Sequence, residues 1–235
     1  MRKENFGYKL SGIISLNHSI FHMDKTKLAV NVFDSCAQQY QDQFMNIDQY
    51  HSGLEAFCAF IEGEKPKILD VACGPGNITL YLAQQIPQAN VLATDLAPNM
   101  LELAKKNVPD ASFKLLDAKN ISSLNQRFDG IVLGFVLPYL DKEESLRLIA
   151  DAYSMLNDGG ALYLSTMEDD YSKSNLQSSV TKDGVERTLF MHFHEEEYLA
   201  DQMKALGFKE IHSEKVVSKD KHGEQVVDMI LIGKK

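Results

Sequence analysis

The sequence predicts an α/β fold: a doubly wound, seven-stranded, mostly parallel sheet with an antiparallel C-terminal edge, preceded by helices and carrying a hairpin insertion after its fifth strand. Three observations lead there. Beyond Pro66, short apolar runs alternate with helical stretches. A glycine turn follows the first of those runs directly. Beyond Ser165 the alternation gives way to a meander.

Lys27 to Phe44 places Val32, Phe33, Cys36, Tyr40 and Phe44 at helical spacing. Tyr50 to Ile61 carries Leu54, Phe57, Cys58 and Ile61 on one helical face, and Pro66 ends that pattern. The strand-length runs are Lys67 to Val71, Asn90 to Thr94, Ser112 to Leu116, Phe128 to Leu133 and Ala161 to Ser165. Asn77 to Gln85, Pro98 to Asn107 and Lys142 to Leu156 read as the helices between them. Pro98 suits a first helical turn, and Asp158-Gly159-Gly160 suits a helix end turning into a strand. Strands apolar on both faces and separated by helices indicate a parallel sheet covered on both sides. Val180 to Val185 then reads as a hairpin with Asp183-Gly184 at its turn. Glu195 to Leu206 is a helix stopped by Gly207. Phe208 to Val217 and Gln225 to Ile232 are two more strands, joined through Lys221-His222-Gly223.

The chain has 235 residues, 44% of them hydrophobic, which suffices for one full α/β domain. The poorly patterned residues 1–22 read as a loosely ordered extension, with Met23 as an alternative start. Residues 23–235 read as one domain: a helical cover over 27–61, a core over 66–165, an insertion over 168–193, and a C-terminal helix and hairpin over 194–235. A formal net charge of −9 gives no broad attraction for a phosphate backbone, so no nucleic acid is expected as a partner. Cys36, Cys58 and Cys73 form neither a CxxC pair nor a disulfide framework, and reduced thiols point to the cytoplasm. No apolar run approaches the length of a membrane span. The N-terminal stretch, interrupted by Lys9, Asn17 and His18, does not read as a signal peptide.

The segment that carries chemistry runs from Ile68 to Thr79, where a buried strand enters Gly74-Pro75-Gly76 and a helix opens at once. Glycines in such a turn let a ligand lie on bare backbone at a helix N-terminus. A glycine turn alone serves many α/β proteins merely to reverse the chain. Asp95 ends the second strand, 21 positions after Gly74, where an acid accepts hydrogen bonds from ribose hydroxyls. Asp117 ends the third strand and Asp70 sits in the first, so three acids gather at the carboxyl edge. A dinucleotide fingerprint requires a third small residue where Thr79 stands, and Asp70 before the turn repels a pyrophosphate. A ligand with an amino group and no phosphate fits better.

Asp70-Val71-Ala72-Cys73-Gly74-Pro75-Gly76 resembles the first motif of the class I S-adenosylmethionine-dependent methyltransferases, a Rossmann-like family. Asp95 to Leu101, Leu116-Asp117-Ala118, Phe128 to Leu140 and Leu156 to Gly160 resemble the later motifs, in order. The resemblance implies that S-adenosylmethionine is the cofactor and S-adenosylhomocysteine the product. It implies that Gly74 and Gly76 line the methionine end, that Asp70 reaches the amino group through water, and that Asp95 takes the ribose hydroxyls. Asp117 and the Ala118 amide then meet the adenine, Leu96 and Met100 flank it, and Gly134 or Phe135 offers backbone to the methionine part. Tyr40 resembles a tyrosine placed over the cofactor, and equally reads as a core aromatic of an amphipathic helix. Ala72 stands where the family frequently has glycine.

For the acceptor, Gly134 to Tyr139 lacks the Asn/Asp-Pro-Pro-aromatic pattern of amide and nucleobase N-methylating enzymes, and lacks a Pro-Cys nucleophile. With the acidic charge, this favours a small-molecule acceptor. A protein or RNA substrate, or a cofactor-binding subunit without turnover, are the alternatives. His192, His194 and Tyr139 are the candidate catalytic residues, with Glu168 and Tyr171 behind them, although an ordinary capping role fits either histidine. Glu168-Asp169-Asp170 reads as a solvated acidic loop, so no metal is expected. The helices over 27–61 and the insertion are expected to cover the reacting methyl group.

Overall fold

A computed structural model describes residues 25–180, 186–219 and 223–235. The extension over 1–22, Met23, the Asp183-Gly184 turn and most of the Lys221 to Gly223 connection lie outside the described residues.

The strands are β1 (Lys67–Val71), β2 (Asn90–Asp95), β3 (Ser112–Leu115), β4 (Phe128–Gly134), β5 (Leu156–Glu168), β6 (Asn175–Val180), β7 (Glu186–Met191), β8 (Lys209–Lys219) and β9 (Gln225–Lys234). Seven of them form one sheet in the order β3-β2-β1-β4-β5-β9-β8. Pairings from β3 through β5 are parallel, whereas β9 runs antiparallel to β5 and β8 antiparallel to β9. β6 and β7 form a separate antiparallel hairpin. Strand order reverses between β1 and β4, and the crevice outside their carboxyl ends is where ligands bind in open α/β sheets.

The helices are α1 (Lys25–Ser35), α2 (Ala37–Phe44), α3 (His51–Ala59), α4 (Asn77–Gln85), α5 (Pro98–Asn107), α6 (Lys142–Met155) and α7 (Glu196–Leu206). On one face, Leu54 and Phe57 of α3 and Leu82 of α4 pack on Ile68, Val132, Tyr163 and Ile230. Leu101 and Ala104 of α5 pack beside them on Ala93. On the other face, α6 and α7 bury Leu148, Ile149, Leu199 and Met203 against Leu69, Val71, Ile131 and Leu162. Both faces are dry, which is why these strands lack period-two alternation. Among the described residues, no helix is long and apolar enough to cross a membrane.

The structure differs from the sequence expectation in several places. The helix expected over 27–44 is two, because Cys36 leaves helical geometry at φ −117° and its N–H is shared between the carbonyls of Val32 and Phe33. The stripe turned inward on α1 is Thr26, Ala29, Val30 and Phe33, the i, i+3, i+4, i+7 positions, while Phe44 stays 43% exposed. The Asn157 to Gly160 turn is an excursion inside β5. Phe128 pairs with Leu156 and Gly130 with Ala161, and the residues between are skipped. Asp129 fastens that excursion: Oδ1 accepts from Asn157 Nδ2 at 2.7 Å and Oδ2 from the Lys67 N–H at 2.8 Å.

Candidate functional site

The cleft at the switch point is built on three strand ends. β1 ends in a turn whose backbone enters the left-handed region at Ala72 (φ +56°), Gly74 (φ +55°) and Gly76 (φ +86°). Ala72 carries a Cβ in that region, so glycine there would relieve strain. At the end of β2, Asp95 closes the turn: Oδ2 accepts from the Gly74 N–H and Oδ1 from the Ala97 N–H, each at 2.8 Å. Burial pushes the Asp95 carboxyl up, opposed by the amides of Ala97, Gly74 and Leu96. After β4, Phe135 adopts φ +52° and donates its N–H to the Ser165 carbonyl at 3.0 Å. Two residues with side chains in the left-handed region thus line one crevice, the kind of backbone strain that clusters at functional sites.

Nine of the eleven expected cofactor residues line this cleft. Asp95, Leu96 and Met100 form one wall; Asp117 and Ala118 close one end; Gly134 and Phe135 form the β4 side. Gly74 forms the floor, and the nearest atom to a Cβ built on it is Tyr40 Cε1 at 3.8 Å. Tyr40 therefore lies over the turn. Burial first, and the Asp95 charge second, push its phenol up to about 12. α1 supplies the roof through Thr26, Ala29, Val30 and Phe33. Phe33 stands edge-on to Tyr40 at 5.5 Å and to Tyr139 at 4.9 Å. Sequence reasoning missed most of this roof, although its spacing was visible once the helix was phased from Thr26.

Two expected residues lie elsewhere. Gly76 does not line the cleft: a Cβ there would stand 3.2 Å from Ala104 Cβ, so glycine lets α4 approach α5. Asp70 is buried behind the turn at 1% exposure, and its Oδ2 accepts the Thr79 hydroxyl at 2.6 Å. Thr79, which spoils the dinucleotide fingerprint, is thus the partner that this acid requires.

The candidate catalytic residues separate as well. Tyr139 lines the cleft, but burial raises its phenol, so it stays protonated and is no base at neutral pH. His194 is fully buried, with one ring nitrogen on the Leu137 carbonyl at 2.9 Å and the other on the Tyr198 hydroxyl. It has no nitrogen left for a substrate. His192 lies behind the 137–139 turn, with its own N–H donated to the Pro138 carbonyl at 2.8 Å. Glu168, Asp169 and Asp170 diverge: the first pairs with Lys215, the second with Lys173, and the third caps Ser172. No cluster suited to a metal ion occurs among the described residues.

The expected cover is also split. α1 and α2 roof the cleft, whereas α3 packs against the sheet through Leu54 and Phe57. The β6–β7 hairpin braces the roof from outside: Arg187 donates to Gln39 Oε1 at 2.8 Å, and Lys25 lies 3.7 Å over the Phe190 ring.

The donor set fits an adenosyl amino acid. It offers two carboxylates at neighbouring strand ends, bare backbone at Gly74 and apolar walls. Asp95 and Asp117 are its only charged groups among the described residues, and there is no cation to hold a phosphate.

Comparisons with known proteins agree. A family profile described as a methyltransferase domain matches residues 68–160. A demethylmenaquinone methyltransferase of Chlorobaculum parvum is 34% identical over 144 residues, which is 57% of this chain and 57% of that protein. A trans-aconitate 2-methyltransferase of Variovorax paradoxus is 34% identical over 99 residues, 42% of this chain and 38% of that protein. The chain thus spans about half the length of the curated relatives it matches. Among solved structures, 1,6-didemethyltoxoflavin-N1-methyltransferase of Burkholderia thailandensis shares the fold, with a TM-score of 0.61 and 20% identity over 89% of this chain and 88% of that one. With the strand order and the strand-end acids in place, residues 68–160 are similar to a methyltransferase domain, and the sheet around them has the fold of the solved methyltransferase.

Proposed function

We propose that this chain binds S-adenosylmethionine in the roofed cleft and transfers its methyl group to a small-molecule acceptor, releasing S-adenosylhomocysteine. The observation that carries this reading is the Asp95 carboxylate. It is held by the Gly74 and Ala97 amides beneath the Tyr40 ring, with lone pairs left over for two hydroxyls. Asp95 takes the ribose, Asp117 and the Ala118 amide the adenine edge, and Leu96 and Met100 its faces. Gly74, Gly134 and Phe135 present backbone to the amino-acid end. Asp70 acts from behind the turn, through water. The cofactor supplies a sulfonium methyl group. The protein supplies alignment and exclusion of water, through the roof of Phe33, Tyr40 and Tyr139.

The roof favours a small acceptor over a macromolecule, and the two relatives above are named for small acceptors. The net charge of −9 speaks against nucleic acid, and the free thiols of Cys36, Cys58 and Cys73 support a cytoplasmic setting. Calorimetry tests the cofactor directly. S-adenosylhomocysteine is expected to bind at micromolar affinity, about −8 kcal/mol, and NAD to give no response. Saturable NAD binding with silence from both sulfur nucleotides reverses the assignment.

A further inference from the structure

We propose that His192 recognises the acceptor: its imidazole hydrogen-bonds a hydroxyl or carbonyl on a flat, ring-bearing molecule seated between the cleft and the β6–β7 hairpin. This rests on the small-molecule reading above.

His192 is 3% exposed, and neither ring nitrogen has a hydrogen-bond partner. A neutral imidazole holds one donor and one acceptor, and leaving both unmade in a buried place is costly. Such an orphan needs an explanation. The nearby His194 shows the ordinary arrangement, with both nitrogens taken.

The position of His192 supplies that explanation. Its backbone bonds Pro138, and Lys25, Asp141 and Glu144 face its ring electrostatically. Each of the first three stands next in sequence to a residue of the cleft wall: Tyr139 beside Pro138, Thr26 beside Lys25, and Leu140 beside Asp141. His192 therefore lies close behind that wall, where β7 meets α1 and the 137–139 turn. Aromatic rings flank it. Tyr171 is stacked at 5.7 Å and 23°, and Phe190 is tilted at 4.7 Å. A molecule that reaches this imidazole meets aromatic neighbours, which suit a flat ring.

The charges select its polarity. Burial, helped by Lys25 and His194, lowers the imidazole to about 4, so it is neutral at pH 7. The surrounding ions have partners of their own, Lys25 on the Phe190 face and Glu144 on Lys119. A neutral donor–acceptor pair complements a hydroxyl or a carbonyl better than a carboxylate.

The test uses the full chain, S-adenosylmethionine labelled in the methyl group, and a protein-free small-molecule cell extract. His192→Phe is expected to keep its S-adenosylhomocysteine affinity within about twofold, while label transfer falls on the order of tenfold or more. His192→Gln, which retains a donor and an acceptor, is expected to recover part of the loss. The labelled wild-type product should pass a strong anion exchanger. Full transfer by His192→Phe overturns the proposal, as does a labelled product retained by the exchanger. Parallel loss of transfer and of cofactor affinity in both variants assigns His192 to the scaffold instead. Wild-type protein that binds S-adenosylhomocysteine yet labels no small product refutes the small-molecule reading, and this inference with it.

Discussion

The Thr79 hydroxyl donates to Asp70 Oδ2 across 2.6 Å, inside a region where Asp70 is all but sealed from solvent. Burial pushes the Asp70 carboxyl up to about 7, with Thr79 pulling the other way. The sign for stability follows from linkage. Below about pH 4 both folded and unfolded chains hold the proton, and the acid costs nothing. As pH rises through the window from 3.8 to about 7, only the unfolded chain releases it, so stability falls and then levels off. Asp70→Asn is expected to leave stability near pH 4 almost unchanged and to raise it at pH 8 by up to about 4 kcal/mol. Urea melts at the two pH values measure this. Equal effects at both would show that ionisation is not the cause. The same variant should bind the cofactor more weakly, a stability gained at the expense of the site.

Asp95→Ala is expected to weaken S-adenosylhomocysteine binding by about 2 kcal/mol or more, since hydrogen bonds to a charged acceptor are lost. The Gly74 and Ala97 amides lose their acceptor too, so the melting temperature should drop in the absence of ligand. A variant that folds and binds normally by calorimetry would remove Asp95 from the ribose.

Gly134 reports packing as well as ligand approach. A Cβ there would stand 2.4 Å from Ile78 Cδ1 on α4. Gly134→Ala is expected to cost about 1–3 kcal/mol by overpacking, and Ile78→Val, which removes that methyl, should restore part of it. Additive losses in the double variant would place the strain elsewhere.

The roof should respond to the cofactor while the sheet packing does not. With S-adenosylhomocysteine bound, limited proteolysis within residues 25–44 is expected to slow several-fold, since closing the cleft removes locally opened states. Cleavage within His51–Ala59 should be indifferent, because α3 packs on the sheet. Equal protection of both segments would indicate global stabilisation, and no protection of either would remove the lid.

The sequence by itself determined the sheet and the edge that carries the cleft. Dry strands read as continuous apolar runs, and the glycine turn with its strand-end acids is local chemistry that needs no partner to be recognised. Asp95, Asp117 and Gly74 were legible for that reason. Only the tertiary structure decided which of the motif residues line the cleft. Gly76 serves the contact of α4 with α5, and Asp70 faces Thr79 rather than the cleft. Likewise only packing phased α1 and divided the N-terminal helices into roof and padding. It also separated two histidines that look alike in the sequence, one satisfied at both nitrogens and one at neither. Spacing along the chain fixes which residues share an element. The direction a side chain takes, and whether its hydrogen bonds are met, depends on contacts between residues far apart in sequence, and these exist only once the chain has closed on itself.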